Sequence, residues 1–251
     1  MNWLLDPSFS TFGPDIDRLY YIILVITGLV FVITEGALIW FLIRYRRKEG
    51  RKAAYVHGSV KAEVIWTTVP FVIVLALALM SKGLWDQIKD PAHFPDNPYE
   101  VLVTARQFEW ITTYAGADGE FGTDDDFTLT NRVQVPVNRP VLVHLEAEDV
   151  IHSFFVPDFR VKQDAVPGMR MPVWFEVTEP GEYTLGCAEL CGIGHYRMRG
   201  TIQVLPQAEF EAWEAEQIAL RSGTGQENLA ARSPGEDDHG SGADEAGRDG
   251  R

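Results

Sequence analysis

Cysteine is scarce in this chain of 251 residues: Cys187 and Cys191 are the only two, so no multi-bridge disulfide framework can hold it together. Thiol chemistry is confined to one place. No Cys-x-x-Cys-His motif occurs, which excludes a covalently attached c-type haem in this chain. Positive charge is also short, with 22 Lys+Arg against 36 Asp+Glu for a formal charge of −14. Residues 83–221 carry 10 basic and 23 acidic side chains, leaving no basic face to neutralise phosphates. Nucleic acid is therefore excluded as a partner, and a basic protein suits this acidic surface better. Met1–Asp17 lacks a positive n-region, so a cleavable signal peptide is not evident. Beyond Ser222 apolar residues nearly vanish, and residues 222–251 are expected to form a disordered acidic tail.

What the chain has in abundance is apolar length. Leu19 to Ile43 is interrupted by one carboxylate, Glu35, and at ~1.5 Å per residue it exceeds a ~30 Å hydrocarbon core. Val64 to Ser81 is a second uncharged stretch, near the lower limit for crossing, in which Pro70 predicts a kink. Trp40, Tyr45, Trp66 and Trp85 lie near the ends, as interfacial aromatics do. Buried core helices are the alternative. The basic cluster Arg44, Arg46, Arg47, Lys48, Arg51 and Lys52 between the two stretches decides for a transmembrane hairpin over residues 19–82. The positive-inside rule places loop 44–62 in the cytoplasm, with residues 1–18 and everything after the hairpin on the exported side.

After a linker over 83–98 the texture changes to short runs such as Glu100–Thr104, Arg132–Pro136, Val141–Leu145 and Val173–Val177, separated by Gly, Pro, Asn and Asp. This predicts an all-β Greek-key sandwich or barrel over 99–205, followed by one amphipathic helix within 206–221. The acidic run Asp118–Asp126 has carboxylates spaced so that they could hold calcium, but it lacks the EF-hand ligand spacing and reads as a solvated turn.

Chemistry concentrates in Gly186-Cys-Ala-Glu-Leu-Cys-Gly-Ile-Gly-His-Tyr-Arg-Met198, a loop between two strand-like runs. It offers two thiolates, an imidazole and a thioether, and a second imidazole, His152, lies upstream. This soft donor set favours copper over magnesium or calcium. Structural zinc would have no use for Met198, and a mononuclear blue-copper site needs only one thiolate. A disulfide between the two cysteines is the plain alternative outside the cell.

The pattern Cys187-x-Glu189-x-Cys191-x₃-His195-x₂-Met198, with His152 in Asp149-Val-Ile-His-Ser153, closely resembles the CuA domain of cytochrome c oxidase subunit II. The resemblance runs through Val161–Gly168 and back to Glu63-Val-Ile-Trp66, covering about residues 18–205. It implies a cupredoxin-like fold and a role as the electron-accepting subunit of a proton-pumping, membrane-bound oxidase, in a bacterial cell membrane. It also implies partners: a catalytic haem–copper subunit I, other oxidase subunits, and a cytochrome c that supplies electrons. Haem would reside only in those partners. Cys187 and Cys191 would bridge two coppers, His152 and Met198 completing one and His195 and the Glu189 carbonyl the other. The Glu189 side chain would face a magnesium ion shared with the catalytic subunit, and Glu63 would stand at the mouth of a proton path. One departure concerns where the electron arrives. Relatives often carry two tryptophans in a Gln-Trp-aromatic-Trp run, whereas this chain reads Gln107-Phe108-Glu109-Trp110. Phe108, Trp110 and Tyr114 are the candidates for that role.

Three other readings meet obstacles. A copper chaperone would place Cys-x₃-Cys on a thioredoxin-like βαβ scaffold, against the β-only pattern around Cys187. A non-redox quinol-oxidase subunit would have lost the ligands. Nitrous oxide reductase carries a similar motif in a soluble enzyme, against the two spans here.

Overall fold

The computed structural model describes residues 4–55 and 57–221, so the expected disordered tail over 222–251 lies outside the described residues. Two long helices, α1 (Gly13–Arg44) and α2 (Val60–Lys89), precede ten strands and a final helix, α3 (Gln207–Arg221). Both long helices contain apolar windows that no other part of the chain covers, as lipid-facing spans require.

The helices outrun the apolar stretches that signalled them. α1 starts at Gly13 rather than Leu19, because Pro14 in its first turn needs no N–H partner and is preset for helix. α2 begins at Val60, where the Ser59 hydroxyl accepts from the Ala62 N–H at 3.3 Å, and it runs unbroken through Pro70 to Lys89. The basic loop is therefore shorter than 44–62. Much of the stretch expected as a linker over 83–98 is helix, its surface carrying a Lys82–Asp86 ion pair one turn apart.

The strands form two five-stranded sheets facing each other. The first has the order β3 (Phe127–Thr130), β2 (Glu109–Tyr114), β1 (Tyr99–Arg106), β5 (Val141–Ala147), β8 (Met171–Phe175). The second runs β4 (Arg132–Pro136), β10 (Arg199–Leu205), β9 (Gly181–Cys187), β6 (His152–Val156), β7 (Val161–Ala165). The expected cupredoxin-like sandwich is thus present, with mixed sheets: β1 pairs with β5, and β4 with β10, in parallel. Val101, Val103, Val143, Leu145, Phe154, Leu185 and Ile202 fill the space between them with no exposure. β5 alternates buried and half-buried positions along its whole length, as a strand with one face on the core must.

Within the stretch expected as an exported tail over 1–18, residues 9–12 pack on this domain. The Phe9 N–H donates to the Asp158 carbonyl, the Thr178 N–H to the Phe9 carbonyl and the Thr11 N–H to the Glu176 carbonyl, all at 2.9–3.0 Å. Phe12 is buried edge-on against Trp174, with ring centroids 5.2 Å apart. A few residues with no periodicity of their own dock here through single aromatic anchors, which is why no sequence pattern announces them. Just after them, the Asp17 carboxylate accepts two bonds from Arg160, from Nε at 2.7 Å and from a terminal nitrogen at 3.0 Å.

Candidate metal centre

β6 and β9 are neighbours in the second sheet, with Phe154 opposite Cys187, so His152 at the start of β6 comes beside Cys187 at the end of β9. The chain then loops outward and returns to β10 through a short turn of 3₁₀ helix, His195–Arg197. This brings the loop's remaining donors back to the same spot.

Five donor groups converge. Cys187 Sγ lies 4.0 Å from His152 Nδ1 and 3.8 Å from Cys191 Sγ. Cys191 Sγ in turn lies 3.6 Å from His195 Nδ1 and 3.8 Å from Met198 Sδ. The Glu189 backbone carbonyl points at Cys187 Sγ from 3.2 Å, while the Glu189 side chain is exposed. Both thiols are free, and His152, Cys187 and Cys191 have donor atoms within 4.8 Å of one another. The set matches a soft transition metal in chemistry and in placement: all sulfur and nitrogen donors meet at the middle, with His152, Cys191 and Met198 almost sealed from solvent. Burial pushes the Cys191 thiol up to about 11, aided by the charge and hydrogen bond of Cys187. A metal ion must displace that proton to bind.

Asp149 is a contributor that motif reading left without a role. Its carboxylate accepts from His152 Nε2 at 2.8 Å and from the Gln107 N–H at 2.8 Å. The first bond fixes which imidazole nitrogen is free, turning Nδ1 to the sulfurs, as carboxylates behind metal-bound histidines do. Burial would raise the Asp149 carboxyl, but the bonds from His152 and from the Gln107 and Val150 N–H groups outweigh it and hold the group below the ordinary carboxylate range. A carboxylate three residues before a ligating histidine was the available signal.

The aromatic candidates separate. Phe108 sits half-buried on the β1–β2 turn against the ligand loop, with the Arg197 guanidinium 5.8 Å from its ring centroid. Gly194 is small of necessity, because a Cβ there would collide with the Phe108 ring. The Gln107 side-chain amide donates to the Cys191 carbonyl at 2.6 Å, tying the same turn to the loop. Trp110 is fully buried, edge-on to His152 and Phe154 with centroids 6.3 and 5.8 Å away. Tyr114 is also fully buried, four residues further along β2, its hydroxyl bonded to the Gln134 backbone and stacked on Phe127. Both side chains are buried, whereas Phe108 is partly exposed. Their apolar side faces the core because β2 alternates, and positions 110, 112 and 114 all point inward.

Glu63 lies in the first turn of α2, exposed and far from the sulfurs in the chain's layout. Within the acidic turn Asp118 and Asp126 accept from the Glu120 and Gly122 N–H groups and Asp125 from the Thr123 hydroxyl, while the second Asp126 oxygen is buried without a partner.

Residues 1–84 match the family described as "Cytochrome C oxidase subunit II, transmembrane domain", and residues 110–205 match "Cytochrome C oxidase subunit II, periplasmic domain". An alternative cytochrome c oxidase subunit 2 from Bradyrhizobium diazoefficiens is 32% identical over 86% of this chain and 84% of its own length. A cytochrome c oxidase subunit 2 from Thermostichus vulcanus is 29% identical over 86% of this chain and 79% of its own. Among solved structures, the periplasmic domain of subunit II of cytochrome oxidase from Bradyrhizobium japonicum is 29% identical, covers 48% of this chain and 94% of its own, and gives a TM-score of 0.43. Two apolar helices, a mixed β-sandwich and a relative matched over most of both chains lead to one conclusion: this chain belongs to the cytochrome c oxidase subunit II family.

Proposed function

We propose that this chain is the electron-accepting subunit of its oxidase. In this reading His152, Cys187, Cys191, His195, Met198 and the Glu189 carbonyl hold a dinuclear copper centre. The observation that carries the reading is the convergence of two free thiols, two imidazole Nδ1 atoms and a thioether in one nearly sealed site. Two thiols are more than a mononuclear blue-copper site uses, and the buried thioether sets the site apart from structural zinc. Copper held by Cys187, Cys191 and their neighbours would supply one-electron transfer with little change of geometry.

The residues here supply the rest. Asp149 orients His152, the core around Cys191 and Met198 excludes water, and Gln107 anchors the loop backbone. Rigid support of this kind keeps the reorganisation that accompanies electron transfer small. Phe108, partly exposed against the ligand loop, suits the place where a docked cytochrome c would deliver its electron, with Trp110 as an interior relay beside His152. The exposed Glu189 carboxylate, a hard ligand, suits magnesium at the contact with the catalytic subunit, whose haem is the next acceptor on the way to dioxygen. Glu63, at the start of α2, suits the mouth of a proton path into that subunit. With the basic loop on the cytoplasmic side, the copper domain lies on the exported side.

The test is a pair of substitutions in the full chain. Cys187→Ser should abolish the dinuclear copper resonance. Met198→Leu keeps the volume, costs under about 1.5 kcal/mol, and should leave a folded protein with an altered resonance. Unchanged resonance in either variant would remove that residue from the ligand set.

A further inference from the structure

The cations between the two spans form a site that the electron-transfer role does not use. Arg44, Arg46, Arg47, Lys48, Arg51 and Lys52 fall within nine residues that contain a single acid, Glu49, and all are exposed. They do not scatter into solvent. Arg46, Arg47, Lys48 and Arg51 join Phe41 and Tyr45 around an open basin of about 830 Å³.

The two sides of this basin differ in chemistry. One is cationic. The other is aromatic, Phe41 and Tyr45 standing one turn apart at the end of α1, with Leu38, 50% exposed, on the same helix face a turn before Phe41. Trp40, Phe41 and Tyr45 pack on one another there with centroids 5.0–5.9 Å apart, and Arg44 lies 5.7 Å from the Tyr45 ring centroid. The basin thus straddles the level at which a span leaves hydrocarbon and meets headgroups. A ligand that fits must carry negative charge at one end and hydrocarbon at the other.

We infer that this basin is a binding site for anionic phospholipid, the arginine and lysine side taking the headgroup phosphate and the aromatic side taking the glycerol and first acyl carbons. Guanidinium forks match phosphate oxygens in pairs, and juxtamembrane clusters of four to eight cations are the recognised signature of anionic-lipid attraction. A soluble phosphate compound would leave the apolar wall wet, and an acidic protein surface would leave it unmatched.

The inference uses only the two spans and is independent of copper. The experiment uses the full chain in neutral detergent, incubated with phosphatidylglycerol or with phosphatidylcholine of identical acyl chains and examined by native mass spectrometry. Copper content is read on the same samples, so the failure of either reading is visible separately. Phosphatidylglycerol should be retained about tenfold over phosphatidylcholine, which has the same phosphate but cancels its charge with a quaternary ammonium that the cationic side repels. R46Q/R47Q/R51Q should lose most of that preference, R46K/R47K/R51K should keep most of it, and millimolar inorganic phosphate should not abolish it. Equal retention of the two lipids by the unaltered chain overturns the inference without need of any variant. A preference that survives R46Q/R47Q/R51Q, or one that free phosphate abolishes, overturns it as well.

Discussion

At the scale of single residues, the contact between Phe108 and the ligand loop makes a prediction that packing alone decides. A Cβ on Gly194 would meet the Phe108 ring, and the loop is held from behind by Gln107, so neither side yields freely. Gly194→Ala should therefore destabilise the exported domain by about 1–3 kcal/mol, the range for overpacked sites. Adding Phe108→Ala should recover most of that loss in a double-mutant cycle followed by denaturant unfolding. Strictly additive losses would mean that the two groups do not touch. The ligands themselves were legible in the sequence because Cys187, Cys191, His195 and Met198 share one loop, and soft donors at that density have few other uses. Gln107 and the Phe108–Gly194 contact were not, since each depends on the β1–β2 turn lying over a loop more than eighty residues later, whereas Asp149 carries a local signal three residues before His152. The aromatic identity of Trp110 and Tyr114 was visible in the sequence, and their burial follows from the alternation of β2.

Elements carry the next prediction. The Asp17–Arg160 pair joins the start of α1 to the turn after β6, and its side chains are only 9% and 14% exposed. Arg160 also donates to the Pro157 and Asp6 carbonyls, so it gathers the N-terminal segment, the first span and the second sheet at one point. Asp17→Ala leaves a largely buried guanidinium without its carboxylate and should cost about 3 kcal/mol, the lower end for breaking a buried pair. Hydrogen exchange should quicken over residues 6–17 before it does in β5 or β9. Uniform quickening, or none, would mean that the pair does not hold this junction. The spans and strands were readable from apolar length and alternation. Their ends were not, because helices continue through polar turns such as Ser81–Lys89 that carry no hydrophobic signal. Segment Phe9–Phe12 escaped because its pairing with Val177 and Glu176 is wholly non-local.

For the whole molecule, charge distribution sets the terms on which a partner arrives. With 23 acidic against 10 basic side chains, residues 83–221 set up a negative field of the kind that steers a basic partner. Second-order electron transfer from a basic cytochrome c should slow steeply as ionic strength rises from about 10 to 200 mM, a range over which the screening length shrinks several-fold. Flat salt dependence in stopped-flow traces would show that docking is apolar. The loop between the spans carries the opposite charge, so the two regions are electrically distinct.

The central claim is that six groups around Cys187 and Cys191 hold a copper pair, and the most direct measurement is the copper-to-protein ratio of the full chain with its electron resonance on the same sample. The account predicts two coppers per chain and a hyperfine pattern from one unpaired electron shared equally by both nuclei. One copper per chain, with the pattern of an electron localised on a single nucleus, would contradict it.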